Sequence, residues 1–87
     1  MAYRIEFSKR AEKEFESLPL QIQIRLQHRI DALALDPRPS GVKQLKDAEN
    51  QYRLRVGSYR IVYEIQDAIL LVILLRVGHR REVYRKR

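Results

Sequence analysis

The stretch Tyr52-Arg53-Leu54-Arg55-Val56-Gly57-Ser58-Tyr59-Arg60-Ile61-Val62-Tyr63-Glu64-Ile65 decides how this chain is read. Two runs rich in aromatic and β-branched residues flank Gly57-Ser58, the signature of a hairpin with a two-residue loop. With those two residues as the loop, Val56 stands opposite Tyr59, Arg55 opposite Arg60, Leu54 opposite Ile61, Arg53 opposite Val62 and Tyr52 opposite Tyr63. Side chains alternate along a strand, so this register sorts them by face. Tyr52, Leu54, Val56, Tyr59, Ile61 and Tyr63 share one side, suited to packing, and Arg53, Arg55 and Arg60 share the other. Like charges directly opposite one another cost about 0.2 to 1 kcal/mol per pair. Three guanidinium groups gathered at that cost are expected to form an anion site, partly neutralised by Glu64 on the same face.

The segments before the hairpin read as one strand and two helices. Tyr3-Arg4-Ile5-Glu6-Phe7 alternates apolar and charged residues, as a half-buried strand does. Ser8 is a good N-cap, and Ala11, Phe15 and Leu18 then fall on one helical stripe. Ser17-Leu18-Pro19 interrupts that helix, and because proline is accepted only in a first turn, a second helix is expected to start there. Its apolar stripe is Ile22, Leu26, Ile30 and Leu33, and Asp36-Pro37-Arg38-Pro39-Ser40-Gly41 ends it. A pair of antiparallel helices is the expected unit. Beyond the hairpin, a turn at Gln66-Asp67-Ala68 leads into the apolar run from Ile69 to Leu75, which reads as a strand covered on both faces. The fold class expected is α+β, with two N-terminal helices packed on one face of a small, mainly antiparallel, four-stranded sheet, and residues 1–87 forming one domain.

Composition excludes several kinds of chemistry. The chain has no Cys and only two His, which rules out thiolate zinc sites, cysteine nucleophiles and disulfides, so no metal and no cofactor is expected. No apolar stretch reaches the length that crosses a bilayer, and the first residues lack the pattern of a signal peptide, so a cytoplasmic protein without a membrane partner is expected. The formal net charge is +7 and is unevenly spread: residues 53–87 hold nine basic and three acidic side chains, and eight of those nine are arginine. Arginine's planar fork matches phosphate oxygens, so a polyanion is the expected partner. The C-terminal stretch Arg76-Val77-Gly78-His79-Arg80-Arg81-Glu82-Val83-Tyr84 adds an imidazole and a phenol to this basic region. Cations beside Tyr84 favour its phenolate, the direction that makes a tyrosine usable as an acid or base. His28, on the second helix, reads as structural.

The tyrosine and arginine hairpin, taken together with Val77-Gly78-His79-Arg80-Arg81-Glu82-Val83-Tyr84, resembles the RelE toxins of the RelE/ParE superfamily, and the similarity runs over nearly the whole chain. The resemblance implies a fold of the RelE/ParE type, akin to the microbial ribonucleases. It implies a ribosome-dependent endoribonuclease, an mRNA interferase that cuts message in the ribosomal A site and is restrained by a co-expressed RelB-like antitoxin. In that family the 2′-hydroxyl of the RNA attacks the adjacent phosphorus. By resemblance, Arg60 matches the phosphate-binding arginine, Arg80 the arginine near the leaving group, and Tyr84 the C-terminal tyrosine that acts as acid or base or stacks on a base. Arg81 competes with Arg80 for its place because the segment from Gly78 to Tyr84 is short. Where the best-studied RelE has two lysines, this chain has Arg53 and Arg55, which bind phosphate but stay protonated and make poor bases. Tyr84 or His79 is therefore expected to take the proton. Arg53, Arg55, Arg81, Lys46 and Arg76 complete the expected phosphate-binding set. Expected partners are the antitoxin, through an amphipathic helix and acidic residues, the ribosome with its mRNA and rRNA, and operator DNA through the antitoxin complex alone. Two other readings stay open: a gyrase poison like ParE, and an RNA-binding module without catalysis.

Overall fold

The structure is a computed structural model that describes residues 2–46 and 48–79. In chain order it contains β1 (Arg4–Phe7), α1 (Lys9–Glu16), α2 (Leu20–Leu33), β2 (Lys43–Gln44), β3 (Gln51–Val56), β4 (Tyr59–Gln66) and β5 (Leu71–His79), with a 3-10 turn at Asp67–Ile69 before β5. The strands form one sheet in the order β1-β5-β4-β3-β2. All neighbours are antiparallel except β1 and β5, which run parallel from Arg4 opposite Leu71 to Phe7 opposite Leu74.

The helices form where the residue pattern demands them. The Ser8 hydroxyl accepts a hydrogen bond from the Ala11 amide at 3.0 Å, which caps α1. The helix stops at Ser17, and Pro19 stands at the N-cap position of α2 with φ −56°. Ala11, Leu26, Ile30 and Leu33 are fully buried, while Phe15, Leu18 and Ile22 pack at the margin of the same core. The sheet supplies Leu54, Val56, Ile61, Tyr63, Ile65, Val72, Leu74 and Val77 from the facing side. Each such side chain contributes about 1.5 to 3 kcal/mol by leaving water, so this two-layer core is what holds the small domain together.

The hairpin has the expected register at every pair, from Gln51 opposite Glu64 to Val56 opposite Tyr59. Gly57 takes φ +62°, the left-handed value that the first position of such a loop requires and that glycine adopts without strain.

Two features differ from the sequence expectation. The sheet has five strands, not four, because Lys43 and Gln44 pair with Arg53 and Tyr52 and so add an edge strand. Two residues are too few to carry a period-two signal, and only the partner strand reveals them. The last strand begins at Leu71, not Ile69, because Asp67–Ile69 close a 3-10 turn that ends on Leu70 at φ +52°.

A β-bulge lies between β4 and β5. Val62 pairs with Arg76 but Tyr63 pairs with Leu74, so Leu75 has no opposite number on β4. Strict alternation from Val72 and Leu74 would turn Arg76 toward the core. The extra residue reverses the phase, so Val77 is buried among the core residues and Arg76 turns to the other face. Beyond the end of β1, α1 satisfies the edge of β5: the Ser8 hydroxyl donates to the Leu75 carbonyl at 3.3 Å, and the Val77 amide donates to Glu14 Oε1 at 2.9 Å.

A polar clasp ties the loop after α2 to the sheet. The Arg38 guanidinium donates to both carboxylate oxygens of Asp67, at 3.2 and 2.8 Å, and through Nε to the Tyr52 hydroxyl at 3.1 Å, while lying over the Tyr52 ring. The Tyr3 hydroxyl donates to Asp67 at 2.6 Å, and the buried Tyr63 hydroxyl donates to the Pro37 carbonyl at 2.7 Å. The Arg38 and Tyr3 hydrogen bonds hold the Asp67 carboxyl down to about 2, well below the usual carboxylate range. Burial pushes the Tyr63 phenol upward, so it serves as a neutral donor.

Candidate functional site

The face of the sheet turned away from the helices carries the basic groups. Residues opposite one another on adjacent strands share a face. One row across the sheet therefore runs Lys43, Arg53, Val62, Arg76, and the next runs Arg55, Arg60, Gly78. The expected grouping of Arg53, Arg55 and Arg60 is thus present, and Lys43 joins it from β2. Arg55 and Lys43 are exposed and Arg53 is half-buried, while Arg60, on the middle strand, is only 7% exposed and is the one buried charged residue among those described. A guanidinium at the centre of a sheet, flanked by further cations, presents a fixed positive potential that an anion of matching geometry can offset. Glu64 shares this face and accepts a hydrogen bond from Gln66 at 2.6 Å.

Next to Arg60, Gly41, Lys43, Arg53 and Arg55 line an open recess of about 230 Å³. Lys43 is the residue that reading the sequence missed. Lys46, chosen instead, follows the end of β2 and does not line the recess. Only the pairing of β2 with β3, which puts Lys43 opposite Arg53, brings it to this face.

Other expected site residues fall elsewhere. Arg76 reaches Glu14 at 2.9 Å in a partly buried ion pair, so part of its charge serves the contact between α1 and β5. His79 pairs with Tyr59 and meets its ring edge-on at 5.7 Å, on the side of the sheet that carries Tyr59 and Ile61 and not on the arginine face. The phase change at the bulge thus sets His79 apart from Arg53, Arg55 and Arg60, while the C-terminal arginines it was expected to accompany lie outside the described residues. Arg80, Arg81 and Tyr84 lie outside the described residues. Among the described residues no group of acids and histidines has the geometry to hold a metal ion, and no helix is long and apolar enough to cross a membrane.

This pairing of a two-helix layer with a sheet whose open face is lined by arginine defines a class. The chain matches the model of the ParE toxin of type II toxin-antitoxin systems over residues 5–84, and it belongs to that toxin family. Within the family its likeness is to the RelE toxins. It is 29% identical to toxin RelG of Mycobacterium tuberculosis over 87 residues, covering 99% of this chain and 100% of that one. It is 32% identical to the mRNA interferase toxin RelE of Escherichia coli strain K12, covering 97% and 92%. The toxin-antitoxin complex RelBE2 from Mycobacterium tuberculosis superposes with a TM-score of 0.81 at 27% identity, covering 91% of this chain and 92% of the other. The protein is a type II toxin of the RelE kind with the α+β RelE fold.

Proposed function

We propose that this toxin is an mRNA interferase, a ribosome-dependent endoribonuclease that cleaves translated message in the A site and is silenced by a cognate RelB-like antitoxin. The observation that carries the reading is the hairpin register, which sets Arg55 opposite Arg60 with Arg53 on the same face, at the centre of the sheet. The relative from Escherichia coli is named an mRNA interferase, and the complex from Mycobacterium tuberculosis pairs its toxin with an antitoxin.

In the proposed reaction the 2′-hydroxyl of the RNA attacks the neighbouring phosphorus. The bond from phosphorus to the 5′-oxygen breaks, leaving a 2′,3′-cyclic phosphate on one fragment and a 5′-hydroxyl on the other. Arg60 binds the scissile phosphate and stabilises the charge that builds on pentacoordinate phosphorus, an effect worth about 3 to 4 kcal/mol for one well-placed donor. Arg53 and Arg55 hold the strand, and the ribosome supplies the remaining alignment. Because arginine stays protonated, none of the three takes the proton from the 2′-hydroxyl. With His79 turned toward Tyr59, Tyr84 as its phenolate is assigned to take the proton from the 2′-hydroxyl, Arg80 or Arg81 stabilises the charge on the leaving 5′-oxygen, and that oxygen takes its proton from Tyr84 or from water.

The test is induction in cells of the wild type beside an Arg60→Ala, Tyr84→Ala variant, with new 5′ ends mapped on a translated message and on the same message with initiation blocked. Cuts in codon register that require translation and vanish in the variant are the expected result. The match to the ParE family model favours one second reading, a gyrase poison acting by protein contact. Growth arrest with intact message and damaged DNA, unchanged in the variant, would establish it instead.

A further inference from the structure

We infer that Glu14 is a positioning residue: by holding the Val77 amide it fixes the phase of β5 beyond the bulge, and with it the direction in which the chain leaves the sheet toward Arg80, Arg81 and Tyr84. This rests on the nuclease reading for what that segment does, and on the contacts between α1 and β5 for how it is held. β1 stops at Phe7, opposite Leu74, and among the described residues no strand continues beside β5 on that edge. Two side chains take the missing strand's place. The Ser8 hydroxyl, which caps α1, donates to the Leu75 carbonyl at 3.3 Å, and Glu14 Oε1, in the last turn of α1, accepts from the Val77 amide at 2.9 Å. They grip β5 on either side of Arg76, where the phase has just changed.

The Glu14 carboxylate reads that phase twice. Its second oxygen accepts from Arg76 Nε at 2.9 Å and lies 3.6 Å from Arg10 Nε. Arg76 and Val77 are neighbours whose side chains point to opposite faces, so one carboxylate holds the backbone of the inward residue and the side chain of the outward one. A slip of one residue would exchange the two positions and return His79 to the arginine face. A carboxylate accepting from an amide makes a bond about twice as strong as a neutral pair does. Here it is also shielded, since Val77 is 1% exposed and the Glu14 side chain 24%. His79 ends β5 two positions beyond Val77, so a slip at Val77 passes directly into the segment that follows. Arg53, Arg55 and Arg60 stand on other strands, and their hold on RNA does not depend on Glu14.

The test uses the whole toxin, with cleavage kinetics on ribosomes programmed with message and amide exchange followed by NMR. Glu14→Asp keeps the charge but withdraws the carboxylate by one methylene, whereas Glu14→Gln keeps the reach and an oxygen for the Val77 amide. Glu14→Asp is expected to speed exchange at Val77, to shift the amide resonances of residues 80–84 and to lower kcat by about 10²-fold with KM unchanged. Glu14→Gln is expected to hold all three near the wild type although it loses stability. Ile30→Val, which also loosens the core, and Glu16→Gln, exposed on α1, are expected to leave kcat unchanged. Full kcat in Glu14→Asp, an equal loss in Glu14→Gln, or a Val77 amide indifferent to Glu14→Asp overturns the proposal. If Glu14→Asp moves Val77 and residues 80–84 as expected while the wild type cuts no message, the hold of Glu14 on the segment stands and the nuclease reading falls.

Discussion

On the helix side of β3 and β4, Leu54, Val56, Ile61 and Tyr63 are at most 5% exposed and belong to one core with Leu26, Ile30 and Leu33. On the other side of the same two strands, Arg53, Arg55 and Arg60 stand together, with Lys43 added from β2. The first face gains stability from every residue it buries. The second gives some up, because Arg55 faces Arg60 and Lys43 faces Arg53 across the ladder. One hairpin therefore carries both the energy that holds the fold and the charge that opposes it, divided by the side to which each residue points. Substitutions on the two faces should separate stability from activity.

The largest effect on stability is expected from Ile61→Ala, which leaves a cavity in the core and should cost about 2 to 5 kcal/mol in chemical denaturation. If it costs less than 1 kcal/mol, the helix face is not the source of stability. Arg60→Gln should lower message cleavage by roughly 10²- to 10³-fold, a loss read in a translation extract with purified toxin. Its unfolding midpoint should move far less than that of Ile61→Ala, and a matching loss of stability would erase the proposed division between faces.

Glu14→Gln tests the junction where α1 meets β5. It removes the charge that pairs with Arg76 while leaving an oxygen for the Val77 amide, so a loss of about 1 to 2 kcal/mol is expected. Arg55→Thr should stabilise the protein by about 0.2 to 1 kcal/mol, since it removes a like-charge pair, while weakening the binding of RNA. A destabilised Arg55→Thr would mean that the arginine face contributes to the fold after all.

The polar clasp adds a dependence on pH. The Asp67 carboxyl titrates near 2 in the folded chain against about 3.8 when free. Its stabilising effect is therefore complete above about 4 and disappears as the pH falls toward 2. Acid unfolding of Asp67→Asn should lack that part of the pH dependence, and an unchanged acid limb would show that the contact with Arg38 does not stabilise the fold.

Much of this was legible along the chain because the governing interactions are local. The Gly57-Ser58 loop sets the hairpin register, and once it is set, period-two alternation assigns each side chain to a face. Ser8 and Pro19 mark the starts of α1 and α2 by the chemistry of their own side chains. The signal fails where an element depends on a distant partner. Lys43 and Gln44 form a strand only because β3 lies beside them, and β1 runs parallel to β5 across sixty-odd residues of intervening chain. The bulge opposite Val62 and Tyr63 has no mark in the apolar run from Ile69 onward, yet its one extra residue turns Arg76 outward and His79 toward Tyr59.

From its sequence alone this protein had a fold class, a hairpin and a cluster of three arginines, because turn chemistry and alternation act over a few residues. Tertiary structure alone decided which other groups joined that cluster. It brought in Lys43 through an edge pairing and drew Arg76 partly aside to Glu14. It turned His79 to the opposite face through one unpaired residue on β5, because phase along a strand is settled by the neighbouring strand and not by the strand's own side chains.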